Sequence, residues 1–535
     1  MSLFKNTKLL WRLLLASTVL VLALSAIIFF IRFQFILHDP GLYPTTGTEA
    51  ISIYNIWKVQ NGHILYEWPN RDNYAFTVYN YLFYYTYAHV LAVLGIGGKD
   101  LVFYGRLLTL AFALIGATAQ WQLTRSLNKD YYTTSTDIFL ALLALMVWFG
   151  TAFVGWWSLT VRPDVPAVAL VTLALLAYLR GITKGSHFAI LIASILFFSA
   201  WSFKQPVVWA LSGVSLYALI YRRDWKEALV LILPCALLMA VCLILGGPAY
   251  RYNILAAHIN TISLQQSVRE FVKLAVSGLF IWGSAGIGLW LLLVSKSSPS
   301  VNAWREGESA KYMLFVFVFI ATVLLGTIAL GKAGAVKNHL FEAFVGAGVF
   351  SATSFIKLFN TDHASIRTRT IVLALALMLS MMAFPIAQLG IFNRLPTYGV
   401  LTPASPAEQA KKKVFADFLA TLPKPLYLPD EMLALPWYAT DNKYPAINLD
   451  EYFYFPAKQL GLLQGRGVSE LVYNKHFRTL IIPKENETYQ PALAAGYQLL
   501  PLREDLRTLR SNSFYTLQDL NLFVLTNQAT EQTEK

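Results

Sequence analysis

Apolar runs of about 20 residues recur roughly eleven times along this chain, and a run of that length is what an α-helix needs to cross a bilayer core. They cover residues 13–37, 101–123, 138–157, 165–179, 187–203, 206–221, 228–246, 271–294, 313–330, 340–356 and 371–391. With 56% hydrophobic and only 14% charged residues, a 535-residue chain lacks the polar surface a soluble fold of this size needs. The mean hydropathy of +0.50 says the same. The expected fold class is therefore mainly α, a polytopic membrane protein. The first run follows Lys5, Lys8 and Arg12 as a signal peptide would. It is longer than a signal-peptide core and shows no small-residue cleavage site before His38, so it reads as a retained span.

Basic residues set the orientation. They cluster at Lys5 and Lys8, Arg125 and Lys129, Arg180 and Lys184, Arg222, Arg223 and Lys226, Lys296, Arg305 and Lys311, and Lys357, Arg367 and Arg369. These clusters fall on every second loop, which places them and the N-terminus in the cytoplasm. The net charge of +13 is then largely a topology signal and calls for no nucleic-acid partner. Cys235 and Cys242, the only two cysteines, share one apolar run and imply no disulfide framework.

The opposite face receives a first external loop over 38–100, the turn at Arg162 to Asp164, Lys204 and Gln205, the loops 247–270 and 331–339, and everything after about residue 392. Residues 48–60 carry Ile51, Ile53, Ile56, Trp57 and Val59 at spacings that fit an amphipathic helix lying at the interface. The tyrosine-rich stretch 74–94 is expected flat or half-inserted at the outer interface, because a crossing there would invert every later loop. The tail 393–535 loses the long apolar runs. Its strand-like pieces at 425–430, 445–450, 479–483 and 522–526 alternate with a helix-like 468–477, which suggests a small C-terminal α/β extracytoplasmic domain. The chain thus divides into a membrane domain, 1–392, and that external domain.

Each polar residue on this face has a commonplace role open to it. Glu49 suits the first turn of a helix, where the dipole favours an acid. Asp164 precedes Pro166 and suits a helix cap. Lys204 suits a helix C-terminus or a snorkelling position. Their coincidence at one rim, with Asp39, Arg162, Arg251, His258, Lys337, Asn338 and His339, points instead to a site. Carboxylates mixed with arginine, lysine and histidine beside a membrane fit an anionic lipid headgroup together with a general base.

The stretches TEA (48–50), NGHILY (61–66), TVRPD (160–164), FKQP (203–206) and KNHLFE (337–342), in this order and on one side, resemble the GT-C superfamily of polyprenyl-phosphate-sugar-dependent glycosyltransferases. The likeness is to the branch with protein O-mannosyltransferases and aminoarabinose transferases. It spans most of 1–392, and the tail resembles the variable external domain of such enzymes.

The resemblance implies an inverting transfer of a sugar from a polyprenyl-phosphate donor to an acceptor hydroxyl on a glycan, lipid or protein. It also implies a multi-pass protein of the inner (plasma) membrane. It maps the family's loop carboxylate onto Glu49 as base, with Asp39 or Asp164 sharing the role, since Thr48 stands where a second acid is common. Lys204, Arg162, Arg251 and Lys337 would bind the donor phosphate, and His258, Asn338, His339 and Gln205 the substrates. Asp164 would position the acceptor or hold a divalent metal, although no strong ligand spacing is present. The rival reading, a transporter or flippase of a lipid-linked saccharide, calls for repeated halves and charges at mid-membrane depth, which the sequence does not display.

Overall fold

A computed structural model of the protein describes residues 22–30, 47–68, 77–129, 133–151, 154–255, 262–277, 307–332, 337–359, 406–428, 467–484, 486–500 and 520–525, with a few isolated positions besides. Four helices in it are long and apolar enough to cross a membrane: Leu101–Leu127 (α3), Asp164–Lys184 (α5), Trp225–Leu245 (α8) and residues 310–330 within Gly307–Leu330 (α11). They make this an integral membrane protein. The helix His187–Phe203 (α6) is apolar but shorter. Of the other expected spans, 371–391 lies outside the described residues, and 13–37 and 271–294 are described only in part.

The helices start and stop where side chains satisfy their free ends. Ser186 accepts from the Ala189 N–H ahead of α6, and Asp224 from the Lys226 and Glu227 N–H groups ahead of α8. Gly185 closes α5 in the left-handed region at φ 64°. Two expected spans are broken. Run 138–157 becomes Thr134–Leu145 (α4), a π-helical turn over Met146–Gly150 and a short helix Val154–Trp157. Run 206–221 becomes Trp209–Leu216 (α7) with a π-helical continuation over Tyr217–Arg222. An extra residue in a helical turn re-aims the side chains beyond it.

Small residues let these helices touch. A Cβ on Gly116 of α3 would lie 2.2 Å from Trp148 Cη2, so the indole fills the space a side chain would need. Trp148 Nε1 donates to Gln120 Oε1 at 2.8 Å, and a Cβ on Gly348 would lie 2.7 Å from Gln120 Nε2. Gly213 of α7 would place a Cβ 2.5 Å from the Val318 backbone of α11. Such approaches matter in lipid, where helices associate by packing rather than by escaping water.

The first loop departs from the expected interfacial arrangement. Residues 48–60 do form a helix, Gly47–Gln60 (α1), but Glu49 through Ile53 and Asn55 through Lys58 are all buried. Helix Tyr81–Val93 (α2) and α3 pack against it, leaving Tyr54, Val59 and Gln60 partly exposed. Helix α2 turns Phe83, Tyr84, Tyr87, Ala88 and Leu91 inward. Its Tyr87 hydroxyl meets Thr109 Oγ1 of α3 at 2.7 Å. Helix Gly247–Ile254 (α9) clips the loop, since Asn253 Oδ1 accepts from the Thr77 N–H and Nδ2 donates to the Glu67 carbonyl, both at 2.9 Å. Helix Leu264–Ser277 (α10) comes next, and Phe341–Phe359 (α12), entered through a 3₁₀ turn at Lys337–Leu340, completes the described membrane region.

In the tail, Leu426–Tyr427 (β1), Thr479–Pro483 (β2), Tyr497–Leu500 (β3) and Leu520–Leu525 (β4) form one sheet in the order β1-β2-β4-β3. β1 and β2 are parallel, and β4 is antiparallel to both neighbours. The expected helix appears as Val468–Tyr473. Strand β3 adds to the expected pieces, and the one at 445–450 lies outside the described residues.

Candidate active site

The turn Thr160–Asp164, between the short helix after the π-helical turn and α5, is where two buried charge groups meet. In the first, Arg106 Nε donates to Glu49 Oε1 at 3.0 Å and Nη2 to Oε2 at 3.2 Å. Both side chains are 0% exposed. The Val161 N–H donates to the same Oε1 at 2.7 Å, so Glu49 holds one end of the turn. Glu49 does sit in the first turn of α1, yet its partner is a guanidinium rather than the helix end alone. Arg106 is not among the residues expected at the site, because it is a single polar residue in a run that reads as a span. An arginine inside such a run is itself a signal, since it needs a buried partner.

The second group centres on Asp164. Arg162 Nε donates to Oδ2 at 3.1 Å, Asn338 Nδ2 donates to Oδ1 at 2.7 Å, and the Lys204 ammonium also pairs with Oδ1. Arg162, Asp164 and Lys204 are all buried. Asp164 stands in the first turn of α5 and Lys204 at the C-terminal end of α6, as their commonplace roles expect, but both side chains are buried and pair with each other. Arg162 also donates to the Tyr79 hydroxyl at 3.1 Å and lies over the Trp157 ring at 3.9 Å. Burial pushes the Lys204 ammonium below the ordinary lysine value, with the Asp164 carboxylate pulling it back.

Gln205 binds the Val78 carbonyl through Nε2 at 3.2 Å, which ties the first loop to the Lys204 turn. Asn80 reinforces it, donating to the Trp201 carbonyl at 3.1 Å and accepting from the Tyr250 hydroxyl. The remaining candidates stand apart or beyond description. Arg251 is exposed and donates to the Leu243 carbonyl at 3.1 Å. His339 is half-buried in the 3₁₀ turn. Lys337 opens that turn, but its side chain lies outside the described residues, as do Asp39 and His258.

Asp164 does not suit a divalent metal. Both of its oxygens already accept from cations, Oδ1 from lysine and Oδ2 from arginine, and a third positive centre there would be repelled. Among the described residues no group of three or more His, Cys, Asp and Glu side chains could hold a metal ion.

Spanning helices with buried charges gathered where their ends meet an elaborate first loop define a class, the helical integral membrane proteins with a buried charged site. No family model matches the chain, and no curated protein sequence does either. The fold is similar to that of ArnT from Cupriavidus metallidurans, solved both bound to undecaprenyl phosphate and in the apo state. Each superposes with a TM-score of 0.57 at 14% identity, covering 94% of this chain and 97% of that one. The apo oligosaccharyltransferase of Archaeoglobus fulgidus superposes less well, with a TM-score of 0.48 at 12% identity over 89% of this chain and 71% of that one.

Proposed function

We propose that the protein is an integral-membrane glycosyltransferase that moves a sugar from a polyprenyl-phosphate donor to an acceptor hydroxyl. One observation carries this reading: two cations, Lys204 and Arg162, are buried and held on a single carboxylate, in a fold similar to that of a protein solved with undecaprenyl phosphate. Fixed cations are what a departing phosphate needs, because they stabilise its developing charge without reorganising. Asp164 keeps the two aligned, and Asn338 fixes the Asp164 rotamer.

Glu49 is the proton acceptor in this proposal, since a sugar hydroxyl attacks well only as its proton leaves. Both of its oxygens already accept hydrogen bonds, from Arg106 and from the Val161 N–H, which fix the orientation of the carboxylate. The same reading has roughly eleven spans, a cytoplasmic N-terminus, and residues 393–535 as an extracytoplasmic domain. It locates the protein in the inner (plasma) membrane and leaves the acceptor a glycan, lipid or protein.

The test is transfer from a radiolabelled membrane lipid-sugar pool by purified protein in nanodiscs. Wild type should transfer label, Lys204→Ala should lose it, and Glu49→Gln should lose transfer while still binding undecaprenyl phosphate. Full transfer by Glu49→Gln would move the base elsewhere. Movement of the lipid across the bilayer without transfer would sink the enzyme reading.

A further inference from the structure

Helix α5 runs from Asp164 to Lys184 and α6 returns from His187 to Lys204, so His187 stands at the end of the bundle far from the buried charges. The 17 residues of α6 separate the two ends by about 25 Å. The N-terminus of α8 lies at the same far end, because the Tyr178 hydroxyl, late in α5, donates to Glu227 in the first turn of α8. Between α6 and α8 at this end lies an apolar groove of about 460 Å³. Phe188 and Leu191 of α6 and Leu229, Leu233 and Pro234 of α8 line it, with His187 where α6 begins.

The sequence accounts for where the groove stops. Pro234 has no N–H, so the Val230 carbonyl loses its helical donor. At the next rung the Ser194 hydroxyl of α6 enters the α8 ladder, accepting from the Cys235 N–H at 3.0 Å and donating to the Leu231 carbonyl at 2.6 Å. Ser194 thus fastens the two helices together at the level of Pro234. From there to the N-terminal end of α8 no side chain closes the gap, and Phe188, Leu229 and Leu233 are exposed. Because α8 is long and apolar enough to span a membrane, hydrocarbon is the medium they meet. Lys226 to Pro234 is a rise of about 12 Å, close to the ~15 Å of hydrocarbon in one leaflet.

This end of the bundle is cationic. Lys184, Arg223 and Lys226 are exposed, and Lys226 stands one turn before Leu229 and Val230 on the groove side of α8. The acids nearby are already engaged. Asp224 accepts from the Lys226 and Glu227 N–H groups, and Glu227 is buried between Tyr178 and Arg222. Trp225 is 61% exposed, with the Lys226 ammonium 5.8 Å from its ring centroid, an arrangement suited to the headgroup level of a bilayer. Lipid tails are as apolar as leucine, so a chain gains little by entering the groove from the bilayer. Selection therefore falls to the headgroup, and exposed cations beside committed acids favour a negative one.

We propose that the groove between α6 and α8 holds one acyl chain of an anionic phospholipid whose phosphate rests on Lys226. This site lies at the membrane face opposite Lys204 and Asp164 and does not depend on the donor reading. A chain seated there ties α8 to α6, the helix whose other end carries Lys204.

The experiment is native mass spectrometry of the full-length protein in detergent, offered phosphatidylglycerol and phosphatidylethanolamine with identical chains. Wild type should retain one phosphatidylglycerol about fivefold more tightly than phosphatidylethanolamine, the factor one lysine at a charged membrane surface supplies. Lys226→Gln should erase that preference. Leu233→Trp, which fills the groove, should lose the retained lipid. Should Leu233→Trp fail to fold, Lys226→Gln decides alone, since it alters only an exposed side chain. A photoactivatable phosphatidylglycerol with its reactive group in the chain should label residues 187–191 and 229–234 of wild type. Equal retention of the two lipids by wild type, or labelling confined to other helices, would reduce the groove to ordinary lipid-facing surface and overturn the proposal. Displacement of phosphatidylglycerol by undecaprenyl phosphate would make the groove a polyprenyl site and overturn it as well.

Discussion

Arg106 grips Glu49 at two points, Nε on Oε1 at 3.0 Å and Nη2 on Oε2 at 3.2 Å, with neither side chain open to solvent. Removing one member of such a pair strands a buried charge, which costs about 3–5 kcal/mol. Arg106→Met alone, or Glu49→Gln alone, should therefore destabilise the protein severely. Arg106→Met combined with Glu49→Gln should recover much of the loss. Thermal unfolding of the four proteins of the cycle measures the coupling, and strictly additive effects would contradict the pair.

In the proposed reading, Asp164 competes with the donor phosphate for Lys204 and Arg162, which it pairs with here. Asp164→Asn should free both cations and tighten undecaprenyl phosphate binding, while transfer falls because the cations lose their alignment. The check is a binding isotherm beside single-turnover transfer. Weaker binding with unchanged transfer would reverse the assignment.

Lys58 is buried in α1 and pairs with Glu67 at 3.1 Å. Burial lowers its ammonium below the ordinary value, and the Glu67 carboxylate opposes this. Between the folded and unfolded values the unfolded chain binds the extra proton, so stability rises with pH across that window. Glu67→Gln deepens the depression and widens the window downward. This variant should unfold earlier than wild type at pH 7 and regain part of the difference by pH 9.5. A gap that stays constant with pH would rule out Lys58 as its source.

Gly116 makes room for Trp148. Gly116→Ala puts a methyl where the indole sits, and such overpacking costs about 1–3 kcal/mol. Trp148→Phe should be destabilising in wild type but less so, or stabilising, in the Gly116→Ala background. Unfolding midpoints decide it.

Much of the architecture is legible in residue order alone, because twenty-residue apolar runs with basic flanks fit few folds besides a bundle of membrane spans. The run 187–203 coincides with α6, and 165–179 lies within α5. The breaks at Met146–Gly150 and Tyr217–Arg222 stay hidden because a π turn needs no proline or charge to announce it. The burial of most of α1 is hidden too, since its cover comes from residues further along the chain. Within the site, Asp164, Arg162, Lys204 and Asn338 stand out as polar residues at one rim, but their convergence on one carboxylate depends on tertiary packing. Arg106 does not stand out, being one charge inside a long apolar run, and Glu342 closes the stretch KNHLFE without a role of its own. A lone charge in that setting is nonetheless a sign that a buried partner waits elsewhere in the chain.

The partners of Asp164 also arrive at different times. Arg162 precedes it, Lys204 comes 40 residues later and Asn338 174 residues later. At roughly 5–20 residues per second the ribosome needs about 10–35 s to deliver Asn338 after Asp164. Glu49 waits only 57 residues for Arg106. The nascent chain therefore pairs its first buried carboxylate early and completes its second late. A chain released before residue 338 carries most of its apolar helices with the Asp164 group unfinished, a defect that surveillance of membrane insertion would meet as an under-satisfied charge rather than as a missing helix.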